Sequence, residues 1–334
     1  MDLQGEIHRK RSSSGAMDVG TPEEGSINQF LKIGERIFAV KNSAIYEIIQ
    51  ADDIDPQRTN INVPIMGQQL FLDHGLDSEL VCRILLTADI LLKSGFFDAT
   101  IDREKILLLT VEMLKEFFLL EKEISDYLDI DNKVSSEYEE KRKVQHSPAI
   151  PSIPNVETRC KTIFQKINHI EQILMDIIVI FYPNEELTKQ SHFPKFHEII
   201  TNKYGEQDAF SKFLQQIEFF MNLMYELRNS LDHRLRNVKV MDFTLQPDLT
   251  VISPTIELDK KGSELKRTSL SNLFPNILEN LKQICETTIA FLCKKNLKPI
   301  IAGATVLQIP EEKRLNKNIR FAIWIPIGDD GYMQ

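Results

Sequence analysis

The sequence predicts a mainly α protein, a helical bundle with a small β-hairpin insertion and short β elements near both termini. Three observations carry that expectation. Long stretches repeat their apolar residues at intervals of three and four, the period of a helix with one buried face. Strand-like patterns are confined to short runs, such as RIFAV at 36–40 and the alternating VKVM at 238–241. With 42% hydrophobic and 27% charged residues over 334 positions, the chain can bury a sizeable core beneath a charged surface.

Residues 1–26 are polar, with a serine run and several Gly and Glu, and are expected to form a mobile tail. The region 27–131 begins with RIFAVKNSAIYEII at 36–49, which reads as two short strands joined by a turn at Lys41-Asn42-Ser43. ADDIDPQRTN then has loop chemistry. Its Asp52, Asp53 and Asp55 lack the glycine and terminal glutamate of a calcium loop, so a solvated turn is expected. From Asp77 the period changes. Residues 77–95 form a helix pattern with an Asp-Ser start and a stop at Gly95. A longer one at 102–128 places Ile106, Leu109, Val111, Leu114, Phe117, Phe118 and Leu120 mostly at core spacing, completing a helical hairpin.

Residues 132–156 break the pattern with SEYEEKRK and then Pro148, Pro151 and Pro154. That composition suits either a linker between domains or a long loop within one. Beyond it, 158–182 is a long Ile- and Leu-rich helix pattern, and 194–204 is a short one stopped by Gly205. From Asp208 onward, Phe210, Phe213, Leu214, Ile217, Phe220, Met221, Met224 and Leu227 make one broad apolar stripe, read as core. Alternating residues on either side of Gln246-Pro247-Asp248 predict a β-hairpin at about 238–258. A last helix spans 271–295, and 297–334 is a tail containing the strand-like IRFAIWIPI.

Charge and cysteine usage narrow the functional classes. A net charge of −9 argues against a surface that coats nucleic acid indiscriminately, but leaves room for a local basic groove. Cys82, Cys160, Cys285 and Cys293 are scattered and form no CxxC pair, as expected of free thiols in a reducing, cytoplasmic compartment. MDLQGEIHRKRSSSG lacks the apolar segment of a secretory signal. The longest apolar run, ILMDIIVIFY, is too short and carries a charge, so no membrane partner is expected. No glycine-rich phosphate loop occurs. His192 and His197 flank FPKF without a further ligand set, so neither a metal nor another cofactor is expected.

The stretch carrying chemistry is YELRNSLDHRLR at 225–236, where the apolar stripe gives way to charge. Cleaving RNA without metal requires the 2′-OH to lose a proton as it attacks phosphorus, and the 5′-oxygen to gain one as it leaves. A histidine titrates near neutrality and serves as acid or base. A guanidinium stays charged and grips phosphate oxygens as negative charge builds. Arg228, Asn229 and His233 are the catalytic candidates, with Asn229 orienting the ring or donating to phosphate. Arg234, Arg236 and Lys239 are candidate RNA-binding residues, and Lys260, Lys261, Lys266 and Arg267 are placed to line the same groove. Asp232, beside His233, departs from an ideal anion site. Cations near a helix C-terminus also complement its dipole, so the same residues have a purely structural explanation.

Arg228-Asn229-Ser230-Leu231-Asp232-His233 fits R-N-x-x-x-H at the end of an amphipathic helix, and in this it resembles the HEPN superfamily across residues 157–296. The resemblance implies a helical domain and, for many members, a metal-independent ribonuclease acting as a toxin or antiviral effector with its site across a homodimer. It also implies RNA as substrate and a protein antitoxin or regulator as a possible partner. Other members are non-catalytic modules that bind a protein or a nucleotide. The His-x-Tyr extension of some toxins is missing, since Arg234-Leu235 follows His233.

Geometry adds a condition. On a continuous helix, Arg228 and His233 lie roughly 140° apart and about 7–8 Å along the axis. Either the helix loosens near Ser230, or the working set combines residues from two chains.

Overall fold

The computed structural model describes residues 3–13, 15–143, 149–183, 185, 187–188, 192–298, 300–328 and 330–334. The expectation of a mainly α bundle is corrected. About 50% of the chain is helix and 17% is strand, and the strands form four small antiparallel sheets, a mixed α/β architecture. The added strands escaped the sequence pattern because they are short and largely exposed. INQFLKI buries only Leu31 and Ile33, and MGQQLFL buries no residue fully, so their alternation is faint.

The chain divides into two compact units, Met1–Phe96 with Asp102–Leu108 and Pro299–Gln334, and Phe97–Ile101 with Leu109–Lys298. The first unit begins with helix α1 (Leu3–Arg11), followed by strands β1 (Ile27–Ile33), β2 (Arg36–Lys41) and β3 (Ile45–Gln50), the short helix α2 (Ala51–Ile54) and strand β4 (Met66–Leu72). The four strands pair in sequence order, all antiparallel. Gly34, at φ 63°, makes the tight β1–β2 turn, and a Cβ there would collide with Glu104. A π-helical turn (Val81–Leu86) runs into helix α3 (Thr87–Leu91), which packs on the C-terminal sheet. That sheet consists of β10 (Thr305–Gln308), β11 (Phe321–Trp324) and β12 (Tyr332–Met333). The helix read at 77–95 is therefore shorter and partly π.

Residues 3–26, expected as a mobile tail, are instead pinned where they are described. Arg11 is nearly fully buried, its guanidinium 2.8 Å from Asp52 Oδ1 and 2.6 Å from Asp55 Oδ2. It also donates to the Ala51 and Asp55 carbonyls. Lys41 Nζ donates to the Val19 and Thr21 carbonyls. The aspartates read as a solvated turn thus hold two arginines, since Arg58 also bonds both oxygens of Asp52. Bonds from the Arg58 and Arg11 side chains hold the Asp52 carboxyl below its usual range. Backbone donation from Thr59 and Asn60, with Arg11, does the same for Asp55.

Helix α4 (Arg103–Arg142) begins in the first unit and continues in the second. It runs well past Leu128, so the break read at 132 falls inside it. Residues 144–148 lie outside the described set. The second unit continues with α5 (Val156–Phe181), α6 (Phe193–Tyr204), α7 (Ala209–Asp232) and α8 (Leu270–Asn296). Between α7 and α8 lie β5 (Val238–Met241), β6 (Thr244–Leu245), β7 (Val251–Ile252), β8 (Thr255–Leu258) and β9 (Leu265–Ser269). The expected hairpin is present as β5–β8 with β6–β7 nested inside it, and β9 adds a third strand.

The apolar stripes predicted for α5, α7 and α8 meet in one core. Phe274 is fully buried, with Tyr127 at 5.1 Å and Phe164 at 6.3 Å between ring centroids. Burying such a ring contributes roughly 1.5–3 kcal/mol. Asp208 caps α7 by accepting from Phe210 N and pairs with Lys295 of α8. Glu171 of α5 is an anomaly in this core. It is 6% exposed and makes no hydrogen bond among the described residues. Burial raises its carboxyl to about 7. All four cysteines are free and buried. Burial pushes the Cys82 thiol up to about 11 and the Cys160 thiol to about 12.

Candidate functional site

The C-terminal end of α7 remains helical through Asp232. His233 is its C-cap, at φ −91° and ψ 3°, and its N–H bonds the Asn229 carbonyl at 3.1 Å. The chain then turns through Arg234 at φ 50°. Leu235 N bonds Ser230 O at 2.9 Å, and Arg234 N reaches Leu231 O at 3.4 Å. These two bonds define a Schellman motif, which satisfies the last helical carbonyls. Its left-handed position usually carries glycine, and here it carries an arginine at a steric cost of about 1–2 kcal/mol. The helix does not loosen near Ser230, so the first of the two geometric alternatives does not occur within this chain.

Arg228 and Asp232 are one turn apart and form an ion pair, with Nε 2.8 Å from Oδ2. The Nε–H is not aimed at the oxygen, so the contact is electrostatic and Nε has no hydrogen bond. Asp232 Oδ1 takes Lys161 Nζ at 3.1 Å and Gln165 Nε2 at 3.1 Å, both from α5. Burial alone would raise the Asp232 carboxyl, but Lys161, Arg228 and Gln165 outweigh it and hold it low. Neither Nη of Arg228 has a hydrogen-bond partner among the described residues, and the side chain is 31% exposed. Asp232, expected to bear on His233, instead steers Arg228.

The other predicted residues fall into two groups. His233, Arg234 and Arg236 are exposed and have no side-chain partner among the described residues, while Asn229 is half-buried and equally free. Lys239 is claimed by Glu257, directly across the β5–β8 ladder at 2.8 Å, and Lys260 is bonded to Glu226. Arg267 donates to Thr255 and Thr244, whereas Lys261 and Lys266 are exposed. The basic island is therefore narrower than the sequence suggests, centred on Arg228, Arg234 and Arg236. Ser230, within the motif, has a buried Oγ without a partner.

Lys161 and Gln165, which the sequence reading missed, join the candidate site through Asp232. Their i,i+4 spacing put them on one face of α5, but only the packing of α5 on α7 brings that face to Asp232. His192 packs its ring 4.5 Å from Tyr225, and His197 pairs with Glu218 at 2.7 Å. Among the described residues no group of three or more His, Cys, Asp or Glu side chains is arranged to hold a metal. No described helix is long and apolar enough to cross a membrane. No protein-family model, curated protein or solved structure matches the chain.

Proposed function

We propose that the end of α7 is the active centre of a HEPN-type, metal-independent endoribonuclease that works as a homodimer in antiviral defence or as a regulated toxin. The observation supporting this reading is the state of Arg228. Its Nε faces Asp232, while both Nη groups stay free on a half-buried guanidinium, and His233, five positions further on, is exposed and without a side-chain partner among the described residues. A fork anchored at one edge and open at the other suits a phosphate gaining charge in a transition state.

In the proposed reaction, one His233 removes the proton from the 2′-OH, whose oxygen attacks the adjacent phosphorus. The P–O5′ bond breaks, and a second His233 from the partner copy protonates the leaving 5′-oxygen. The products are a 2′,3′-cyclic phosphate and a 5′-hydroxyl end. Arg228 stabilises the phosphorane charge, and Asn229 orients the imidazole or the phosphate. Arg234 and Arg236 attract the RNA backbone.

One observation favours a second reading, a non-catalytic module that binds a protein or nucleotide. Asp232 lies against Arg228 and thereby offsets the charge that phosphate would meet. Incubating the purified protein with structured and unstructured RNA in EDTA separates the two. The ribonuclease reading expects cleavage that His233→Ala and Arg228→Ala abolish. Equal cleavage by the wild type and His233→Ala removes the histidine from the site, and intact RNA in every arm favours the binding module.

A further inference from the structure

Two hydroxyls on neighbouring helices of the second unit are buried and bond nothing. Ser211, in the first turn of α7, is 1% exposed, and Thr201 of α6 is half-buried. Neither Oγ has a hydrogen-bond partner among the described residues. Within a helix such a hydroxyl ordinarily returns to the carbonyl one turn back, and leaving it unpaired in the interior carries a desolvation cost. Ser211 and Thr201 also line one cleft, of about 370 Å³, where α6 packs on α7. That volume belongs to the small end of ligand sites. The cleft lies about 25 Å along α7 from Arg228, so it is separate from the proposed ribonuclease centre.

The walls narrow the chemistry of the occupant. Lys212 and Glu206 line the cleft, and both are exposed. Neither has a charged partner among the described residues, and they do not pair with each other. Gln207 and Gln215 add two carboxamides. His197 has its Nδ1 engaged by Glu218 at 2.7 Å, which leaves only Nε2 for a ligand. No Phe, Tyr or Trp lines the cleft, so it offers no ring on which a nucleobase stacks. The α7 N-terminus already holds an anion, because Asp208 accepts from Phe210 N and pairs with Lys295. What stays unmatched is one cation, one anion and a set of neutral hydrogen-bonding groups.

We infer that this cleft binds a free polar amino acid. The ligand's carboxylate meets Lys212 and the hydroxyls of Ser211 and Thr201, and its ammonium meets Glu206. Its polar side chain exchanges hydrogen bonds with the carboxamides of Gln207 and Gln215. Rotation about χ1 turns a buried hydroxyl toward a new acceptor, so binding supplies the partner that the ligand-free fold lacks. The site stands whether or not the far end of α7 cleaves RNA.

The test uses the full chain. Saturation-transfer NMR on a mixture of free serine, threonine, asparagine, glutamine, aspartate and glutamate should identify the ligand, and calorimetry its affinity. Lys212→Met and Glu206→Gln should each weaken binding about tenfold with unchanged circular dichroism, and so should N-acetylation or carboxamidation of the ligand. Ser211→Ala should act in two directions. Affinity falls about tenfold, while the urea midpoint of the ligand-free protein rises because an unpaired buried hydroxyl is gone. A serine with a structural role alone would leave affinity unchanged. Binding of none of the six, equal affinity for the blocked forms, or full affinity in all three variants overturns the inference. Inorganic phosphate bound as tightly as the amino acid would make the cleft an anion site and overturn it too.

Discussion

The carboxylate of Asp232 lies 2.8 Å from Arg228 Nε, and the same group is gripped from α5 by Lys161 and Gln165. One acidic side chain therefore fixes the direction of the guanidinium and ties the end of α7 to α5. Asp232→Asn keeps the shape and removes the charge. It should lower stability by about 1 kcal/mol, as for loss of a part-buried charged hydrogen bond, and on the proposed ribonuclease reading cleavage should fall roughly tenfold or more. The sign with pH follows from the direction of the shift. A carboxyl held below its ordinary value of about 3.9 contributes stability that is present above that pH and lost as acid titrates it. Chemical denaturation of the wild type and Asp232→Asn should therefore converge below about pH 4.

Arg234 occupies the left-handed position of the Schellman turn, where glycine fits without strain. Arg234→Gly should stabilise the fold by about 0.5–1 kcal/mol, the relieved steric cost less the extra freedom of an unfolded glycine. On the proposed reading of the site, the same change should weaken RNA binding and reduce the salt dependence of log affinity by roughly one phosphate contact. Thermal melting and a salt titration of binding read the two effects separately. A variant both more stable and equally good at binding RNA removes Arg234 from the interface.

Arg11 locks α1 onto the loop around Asp52 and Asp55. Arg11→Ala should free the helix, making cleavage by trypsin at Arg9 and Lys10 roughly tenfold faster while the rest of the chain resists. Acid should mimic the substitution. Both aspartates have lowered carboxyls in the folded chain, so the lock persists above about pH 4 and opens as pH falls through their shifted values. Limited digestion with an acid-active protease checks this. Equal cleavage of Arg11→Ala and the wild type at neutral pH would contradict it.

Glu171 predicts the opposite pH trend. Its buried carboxyl titrates at about 7, above the ordinary glutamate value of about 4.3, so the native state holds its proton more tightly than the unfolded chain. Its contribution is most favourable in acid and is lost between about pH 4 and 7. Glu171→Gln keeps the shape without the charge and should be more stable than the wild type at pH 8, by a margin on the order of 3 kcal/mol that closes towards pH 4. Urea midpoints across that range measure it.

Elements with a strong, continuous apolar stripe were legible in the sequence. The helices at 158–182, from 208 and at 271–295 correspond to α5, α7 and α8, because each stripe meets a core that demands its period. The sheets were less legible. β1 exposes most of its residues, β4 has none fully buried, and LKRTS in β9 has no apolar alternation; these strands are held by their neighbours' ladders more than by their own side chains. Arg11 looked like part of a polar tail because its partners lie some forty residues away. At the candidate site the residue types and the i,i+4 relation of Arg228 to Asp232 were visible. The contribution of α5 was tertiary and was not.

The buried cysteines give the fold built-in clocks. Cys82 sits in the first unit, and Cys160, Cys285 and Cys293 in the second. With all four thiols buried, and those of Cys82, Cys160 and Cys293 also raised, an alkylating reagent reaches each one only when its surroundings open. The labelling time of Cys82 against that of the other three therefore reports how far the two units breathe independently, with no probe introduced.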